Sequence, residues 1–203
     1  MFYEPRKQDP KADLGLRHNP WKALVQPRPI GWISSISAEG KVNLAPYSYY
    51  NAVCEDPPMI MFSSSSRSKD TSRNILETGE FVVNVVTDKL LHPMVETSRD
   101  VPHGVDEFEL AGLSKKVSRI VKPPGVAESP IHLECRLYKS IDIPSTDPES
   151  DYIVVIGEVV GIDIADEIIS GGIVDFTSVG RLGYKDYSIT ANKQSVVLKP
   201  RDI

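Results

Sequence analysis

Short β-prone runs separated by turn residues dominate the hydrophobic and polar pattern of this 203-residue chain. The first run, Gly31–Ile36, combines tryptophan, isoleucine and serine, and a second run follows at positions 42–45. Gly40 lies between them and accepts the positive φ of a tight turn, so the two runs predict a β-hairpin. Pro46 has no backbone donor, which predicts a position at the end of the second strand or at a bulge.

Two apolar segments predict buried strands. Positions 59–62 are uniformly apolar and are too short for a typical helix. Positions 80–86 are rich in β-branched residues and lie between Gly79 and Asp88. The second segment is therefore expected at or near the centre of a sheet.

Two later strands are predicted from their side-chain order. Positions 131–138 alternate, with apolar residues on one face and His132 and Glu134 on the opposite, polar face. Positions 152–160 form another β-branched run, in which Gly157 indicates a bulge or a close backbone approach.

Helical patterns are short. A helix is predicted from its N-cap at Asp70 to its end at Gly79. Positions 87–99 predict one amphipathic helix of about two to three turns. Positions 163–170 predict another short helix. The fold class is therefore mainly β with a few short helices.

The chain is long enough for one substantial core, which predicts one main domain. Positions 1–20 contain three prolines and predict an N-terminal arm, whereas positions 21–190 form the domain, beginning with a helical turn at 21–25. Positions 191–203 predict a C-terminal tail with one apolar patch.

Charge and hydropathy exclude two classes of partner. The net charge is −5 and the isoelectric point is near 5.4, which argues against nonspecific nucleic-acid binding. No run of eighteen apolar residues occurs, so the sequence predicts no membrane span and a cytoplasmic protein.

The cysteines and histidines do not form a metal or redox motif. Cys54 and Cys135 lack CxxC spacing and are predicted to be buried, unpaired thiols. The four histidines are dispersed without an HExxH pattern. We therefore expect no metal site.

A serine-rich turn followed by a predicted helix start forms a candidate anion site. Hydroxyls, two cations and open helix amides are the groups that bind phosphate in proteins. The candidates are Ser63, Ser64, Ser65, Arg67, Lys69, Asp70 and Thr71. The alternative interpretation is a solvated polar loop, since the same residues are common in loops.

Several motifs in a fixed order carry a resemblance to a known family. They are Arg28-Pro-Ile-Gly-Trp-Ile-Ser, Asn43-Leu-Ala-Pro-Tyr-Ser, Asp56-Pro-Pro, Lys69-Asp-Thr, Asn74-Ile, Glu80-Phe-Val-Val-Asn, Asp106-Glu-Phe, Ala111-Gly-Leu, Leu133-Glu-Cys, Ile156-Gly-Glu-Val and Arg181-Leu-Gly with Tyr187. Over roughly residues 20 to 190, this order resembles the flavin reductase-like, FMN-binding split-barrel family.

The resemblance implies a homodimeric, Greek-key-like split β-barrel that binds FMN noncovalently and, in many members, is reduced by NADH or NADPH. Ala45, Pro46, Tyr47 and Ser48 would lie along the isoalloxazine and ribityl chain, and positions 63–71 would hold the phosphate. Ser34 and Ser35 are further candidates for flavin contacts.

Two positions leave their roles open. Arg181 would either approach the flavin pocket or cap a carboxylate at a subunit interface. Tyr152 stands where many relatives have a histidine, so the family role of that histidine does not carry over to this chain.

Three functions remain open at this point. The first is an oxidoreductase that reduces FMN with NADH or NADPH and passes electrons to a second acceptor. The alternative is a non-catalytic FMN carrier, sensor or electron-transfer module. A related split barrel that binds pyridoxal phosphate or haem is the third. The absence of GxGxxG and GxxxxGK motifs argues against a separate Rossmann or P-loop domain.

Overall fold

The computed structural model describes residues 1–147 and 150–190, and the predicted tail at 191–203 lies outside these residues. The strands are β1 (Arg28–Pro29), β2 (Gly31–Ile36), β3 (Val42–Tyr47), β4 (Tyr50–Glu55), β5 (Pro58–Ser64), β6 (Glu80–Asn84), β7 (Lys115–Lys116), β8 (Gly125–Val126), β9 (Ile131–Asp142), β10 (Ile153–Ile164), β11 (Ile169–Ser170), β12 (Ile173–Val174), β13 (Val179–Arg181) and β14 (Tyr187–Ile189). The α-helices are α1 (Trp21–Leu24), α2 (Asp70–Thr78), α3 (Leu91–Glu96) and α4 (Glu107–Leu110).

A curled seven-stranded antiparallel sheet organises the fold, in the order β3-β2-β6-β9-β10-β5-β4. The predicted hairpin is confirmed, with Gly31 opposite Tyr47, Ile36 opposite Val42, and Gly40 at a φ of 84° in the turn. The strand predicted from positions 80–86 is β6, which lies next to the central strand β9 as expected. The mainly β class is confirmed.

Two apolar clusters pack on opposite faces of the β2–β3 hairpin. Ile33 points into the interior of the curled sheet, where it joins Phe62 and Phe81. Trp32 and Leu44 point the other way, into a second cluster that α3 and α4 help to cover. Because neighbouring residues of a strand face opposite sides, the hairpin is buried on both faces.

Gly157 combines the two features predicted for it. The register of β10 shifts between Ile156 and Gly157, as in a β-bulge. A Cβ atom at Gly157 would also collide with the ring of Phe81. The strand therefore bends at the point where the aromatic core requires a close backbone approach.

The helical predictions need correction at their boundaries. Asp70 is the first residue of α2, and Lys69 occupies the N-cap, whereas the predicted end at Gly79 is confirmed by its φ of 74°. The helix predicted at 87–99 is divided into a 3₁₀ turn, Asp88–Leu90, and α3. The helix predicted at 163–170 is wrong, because β10 continues to Ile164 and only a short 3₁₀ turn follows.

The polar face predicted for β9 is covered by another part of the chain at two residues. His132 and Glu134 are 3% and 4% exposed because the segment at 116–126 folds across them. Glu134 accepts hydrogen bonds from the backbone N–H groups of Arg119, Ile120 and Val121 at 2.8, 2.6 and 3.0 Å. One carboxylate therefore anchors this segment to the sheet.

The two cysteines differ in exposure. Cys135 is a buried free thiol in β9, as predicted, but Cys54 is exposed on the end strand β4, so the prediction of burial is wrong for Cys54.

Within the described residues, no helix is both long enough and apolar enough to cross a membrane.

Glu134→Gln should destabilise the protein in a pH-dependent way. Burial raises the pKa of Glu134, but its three backbone hydrogen bonds outweigh that effect and hold the pKa below its ordinary value of 4.5. A lowered pKa means that the carboxylate stabilises the fold above the unfolded-state pKa, and that this stabilisation is lost as the pH falls through the folded-state pKa. We expect a loss of about 1–3 kcal/mol at pH 7 that shrinks towards pH 3, measured by urea unfolding. The exposed Glu109→Gln is the control, and a loss that does not change with pH would contradict this role.

Candidate functional site

A groove of about 540 Å³ runs beside β3, and we call it the β3 groove. Its walls come from three parts of the chain: β3 itself, the start of α2 at positions 68–71, and the turn after α3 at positions 97–101. His103 and Glu107 complete the lining. The volume lies within the range of typical small-molecule and cofactor sites.

The outer edge of β3 faces no partner strand among the described residues. The N–H of Leu44 donates to Oε2 of Glu107 at 3.0 Å. Because the N–H groups of an antiparallel strand alternate between its two sides, Pro46 lies on the same outward side as Leu44 and has no N–H to offer. The edge therefore presents carbonyl groups and a flat proline beside the groove.

Glu107 itself is a buried carboxyl group at the wall of the groove, 6% exposed. Burial raises the pKa of Glu107 above its ordinary value, the Leu44 N–H opposes this increase, and the nearby Asp70 and Asp106 add to it. The Glu107 carboxyl group therefore accepts the hydrogen bond from β3, although its burial disfavours the charged form.

Side-chain hydrogen bonds fix the start of α2 at the groove. Asn43 Nδ2 donates to Thr71 Oγ1 at 2.7 Å, and Asn74 Nδ2 donates to Ser35 Oγ at 3.2 Å. All four side chains are buried, so these bonds form away from competing water. The first turn of α2 is thereby aligned along β3.

The charges at this helix start favour an anion. Asp70 would repel an anion, but its Oδ1 lies 2.5 Å from Arg73 Nη2 and 2.9 Å from His103 Nδ1. Lys69 is exposed at the N-cap. Arg99 lines the same groove but pairs with Glu96, and Asp100 adds a carboxylate to the lining. The helix dipole adds about 0.3–1 kcal/mol of attraction for a negative group at this end.

A second cavity of about 200 Å³ continues from the groove, and we call it the tyrosine recess. It shares Pro46, Tyr47 and Ser98 with the β3 groove. Tyr184 and Tyr187 also line it. The groove and the recess therefore meet at the C-terminal end of β3.

The sequence model described as the flavin reductase like domain matches residues 25–183. The chain belongs to the flavin reductase-like family. Nitrilotriacetate monooxygenase component B from Bacillus cereus is 30% identical to it with a TM-score of 0.86, covering 97% of this chain and 98% of the other. The 2-nitrobenzoate 2-nitroreductase from Pseudomonas fluorescens is 32% identical with a TM-score of 0.80, covering 90% of each chain.

The fold comparison also confirms the predicted architecture. A structure with a split barrel domain from Shewanella frigidimarina has a TM-score of 0.79 at 21% identity, covering 89% of this chain and 90% of that one. The curled seven-stranded sheet is therefore a split barrel.

In this flavin reductase-like chain, one group of predicted site residues is brought together. The β3 groove is lined by Ala45, Pro46, Tyr47, Lys69, Asp70 and Thr71. Tyr47 turns its hydroxyl inward to Thr71 and Ser64, and its ring lies 4.8 Å from that of Phe62. Burial raises the pKa of Tyr47 despite these hydrogen bonds, so its phenol stays neutral.

The serine-rich turn is divided between two sides of the molecule. Ser63, Ser64, Ser65 and Arg67 do not line the groove. Arg67 pairs with Asp142 at the end of β9. Within this turn, Ser64 Oγ donates to the Ser66 carbonyl at 2.9 Å. Of the segment 63–71 predicted to hold the phosphate, positions 68–71 line the groove.

Four other predicted contacts lie elsewhere. Ser34 and Ser35 are fully buried, and Ser34 Oγ donates to the Pro124 carbonyl at 2.6 Å, so neither serine lines the groove. Ser48 and Arg181 line the tyrosine recess instead of the groove.

Some lining residues were not predicted. Asn43 and Glu107 lie inside the motifs of the family resemblance, so their motifs were the available signal. Arg99 and His103 lie in a loop without a pattern, and only the folded chain brings them to α2. Among the described residues, no group of three or more His, Cys, Asp or Glu side chains is arranged to hold a metal ion.

Proposed function

We propose that the β3 groove binds FMN and that the protein is an oxidoreductase that uses NADH or NADPH to reduce it. The observation that carries this proposal is the pairing of two surfaces along one groove. A cationic helix start lies at positions 68–71, and a flat strand edge without outward N–H groups lies at Pro46.

The groups at positions 68–71 fit a phosphate. Ser68 contributes a hydroxyl, Lys69 contributes an ammonium, and the first turn of α2 has N–H groups without intrahelical partners. Asp70 is already paired with Arg73, whereas Lys69 forms no ion pair within the described residues, so the Lys69 ammonium is available to a phosphate. Lys69 is therefore the residue that would hold the phosphate end of FMN.

The other end of the groove fits an uncharged ring system. Ala45, Pro46 and Tyr47 offer apolar surface, and Tyr47 keeps its hydroxyl turned away into the core. Bound FMN would supply the hydride and electron-transfer chemistry. The protein then supplies position, and Glu107 does so by holding the edge of β3 through Leu44.

The named relatives support an oxidoreductase. One is a component of a monooxygenase and the other is a nitroreductase, and each is at least 30% identical to this chain. Two differently named oxidoreductase systems on one scaffold favour an enzyme whose second substrate varies. A flavin carrier or electron-transfer module is the second candidate, because the same groove would serve it equally well.

Lys69→Ala should weaken FMN binding about tenfold or more and leave riboflavin binding unchanged. Riboflavin has no phosphate, and a charge-assisted hydrogen bond contributes about 1.5–3 kcal/mol. Arg67→Ala is a matched control, because this neighbouring cation pairs with Asp142 away from the groove. Flavin fluorescence titration measures both ligands. An equal loss for FMN and riboflavin would assign Lys69 a structural role, and failure of the unmodified protein to bind FMN would disprove the proposed function.

The enzyme and carrier hypotheses differ in their reaction with nicotinamide. We expect anaerobic mixing of the FMN-loaded protein with NADH or NADPH to remove the flavin absorbance within seconds, since enzyme turnover is about 1 to 1000 per second. Stopped-flow absorbance with each nucleotide measures the rate. Loss of absorbance over hours, or only with dithionite, would favour the carrier.

We also propose a homodimer, which the end strand β4 supports. Five of its six residues, Asn51–Glu55, are exposed, and a strand edge of this kind readily pairs with another chain. Light scattering should give about twice the chain mass of 22.5 kDa. Val53→Lys should reduce that mass, whereas Val117→Lys, at an exposed position outside the seven-stranded sheet, should not. A monomer that still binds FMN would contradict the dimer and show a complete site in one chain.

A further inference from the structure

The tyrosine recess differs in charge from the rest of the protein. Lys22, Arg28 and Arg181 line it, and none of its lining residues is acidic. By contrast, the chain as a whole carries a net charge of −5, and the adjoining groove contains Asp70, Asp100 and Glu107. A low-dielectric recess with cations alone focuses a positive potential on its contents.

Arg28 contributes to this positive potential because no nearby carboxylate of the described residues cancels its charge. Its side chain is buried, 5% exposed, and donates to the carbonyls of Lys22, Val25 and Leu182 and to the Ser48 hydroxyl. No carboxylate in the described residues forms an ion pair with it. A buried charge that is hydrogen-bonded only to neutral groups is stabilised further by an anion nearby.

The remaining cations are arranged to receive such an anion. Arg181 donates from Nη2 to the Tyr184 carbonyl at 2.6 Å, and its guanidinium carbon lies 4.3 Å from the centre of the Tyr187 ring. Its guanidinium retains further N–H donors. Lys22 is exposed on α1 at the mouth of the recess. Neither side chain forms an ion pair within the described residues.

Besides its positive charge, the recess has aromatic rings that favour a flat, aromatic ligand. Tyr184 and Tyr187 line it beside Tyr47, so a flat ring can pack against tyrosine surfaces. Tyr184 has a φ of 57°, a conformation that non-glycine residues rarely adopt, and its ring lies 4.9 Å from that of His18. The fold thus holds this tyrosine at the recess despite an unfavourable backbone conformation.

The volume of the tyrosine recess and its position beside the β3 groove limit the kinds of molecule that it can bind. The volume of about 200 Å³ suits one substituted ring and is too small for a whole dinucleotide. Pro46 and Tyr47 line both cavities, so an occupant of the recess would lie beside the ring end of the groove.

We propose that the tyrosine recess binds the second substrate of this enzyme, a planar aromatic compound that carries a carboxylate. This proposal rests on the proposed flavin function for its role in the reaction, but the binding itself depends only on the residues of the recess. Arg181 and Lys22 would attract the carboxylate, and the tyrosines would contact the ring.

Benzoate and its neutral analogue benzamide test this site by isothermal titration of the full-length protein, with and without added FMN. We expect benzoate to bind at least tenfold more tightly than benzamide, and the difference to decrease with added salt. Arg181→Gln and Lys22→Gln should each weaken benzoate binding at least threefold. Lys185→Gln removes a neighbouring exposed cation that does not line the recess, and it should change nothing.

The outcomes separate the two proposals. If FMN does not bind, the proposed function fails, but benzoate titration of the FMN-free protein still decides the recess. If Arg181→Gln does not fold, Lys22→Gln and the benzoate–benzamide comparison decide it. Equal affinities for benzoate and benzamide, no benzoate binding, or equal losses in Lys22→Gln and Lys185→Gln would overturn the site. Nicotinamide mononucleotide is titrated in parallel, and tighter binding than benzoate that Lys22→Gln abolishes would assign the recess to the nicotinamide substrate instead.

Discussion

The unpaired outer edge of β3 is the constraint on which the site depends. A strand at the end of a sheet must satisfy or remove its outward N–H groups, because otherwise it pairs with another strand. Here Leu44 donates to Glu107 and Pro46 has no donor. The edge is thereby protected from strand pairing without being covered, and a groove lies along it. The short helix α4, with Asp106 as its N-cap, serves mainly to bring Glu107 to this edge.

The second requirement of the proposed FMN site is electrostatic, because an acidic protein would have to attract the phosphate to one place. Asp70 is held by Arg73 and His103, which leaves the field at the start of α2 to Lys69 and the helix amides. Local pairing also sets the charge of the tyrosine recess, where Arg28 is buried against carbonyl groups and, within the described residues, not against a carboxylate. Net charge therefore says little about either cavity, since local pairing decides which charges reach the solvent.

The strands could be predicted from the sequence because alternation and β-branching are local properties. The hairpin at Gly40 and the bend at Gly157 followed from single glycines for the same reason. What could not be predicted depends on distant segments. Arg67 and Lys69 are two residues apart and looked equivalent, but Asp142 at the end of β9 draws Arg67 away. Likewise, Glu134 is buried only because the segment at 116–126 crosses it.

The continuation of the β3 groove into the tyrosine recess bears on the choice between an enzyme and a carrier. A carrier needs only the groove, and a cavity that continues past the ring end would expose its flavin to side reactions. In this protein the continuation is lined by Arg181 and by Tyr187, whose ring packs against that guanidinium. Tyr152 lines neither cavity within one chain. The proposed space for a second reactant takes Arg181 from β13 and Tyr187 from β14, and Tyr152 does not contribute to it. If the β3 groove binds FMN as proposed, the adjoining cationic and aromatic recess leaves space for a second reactant, which the enzyme hypothesis requires.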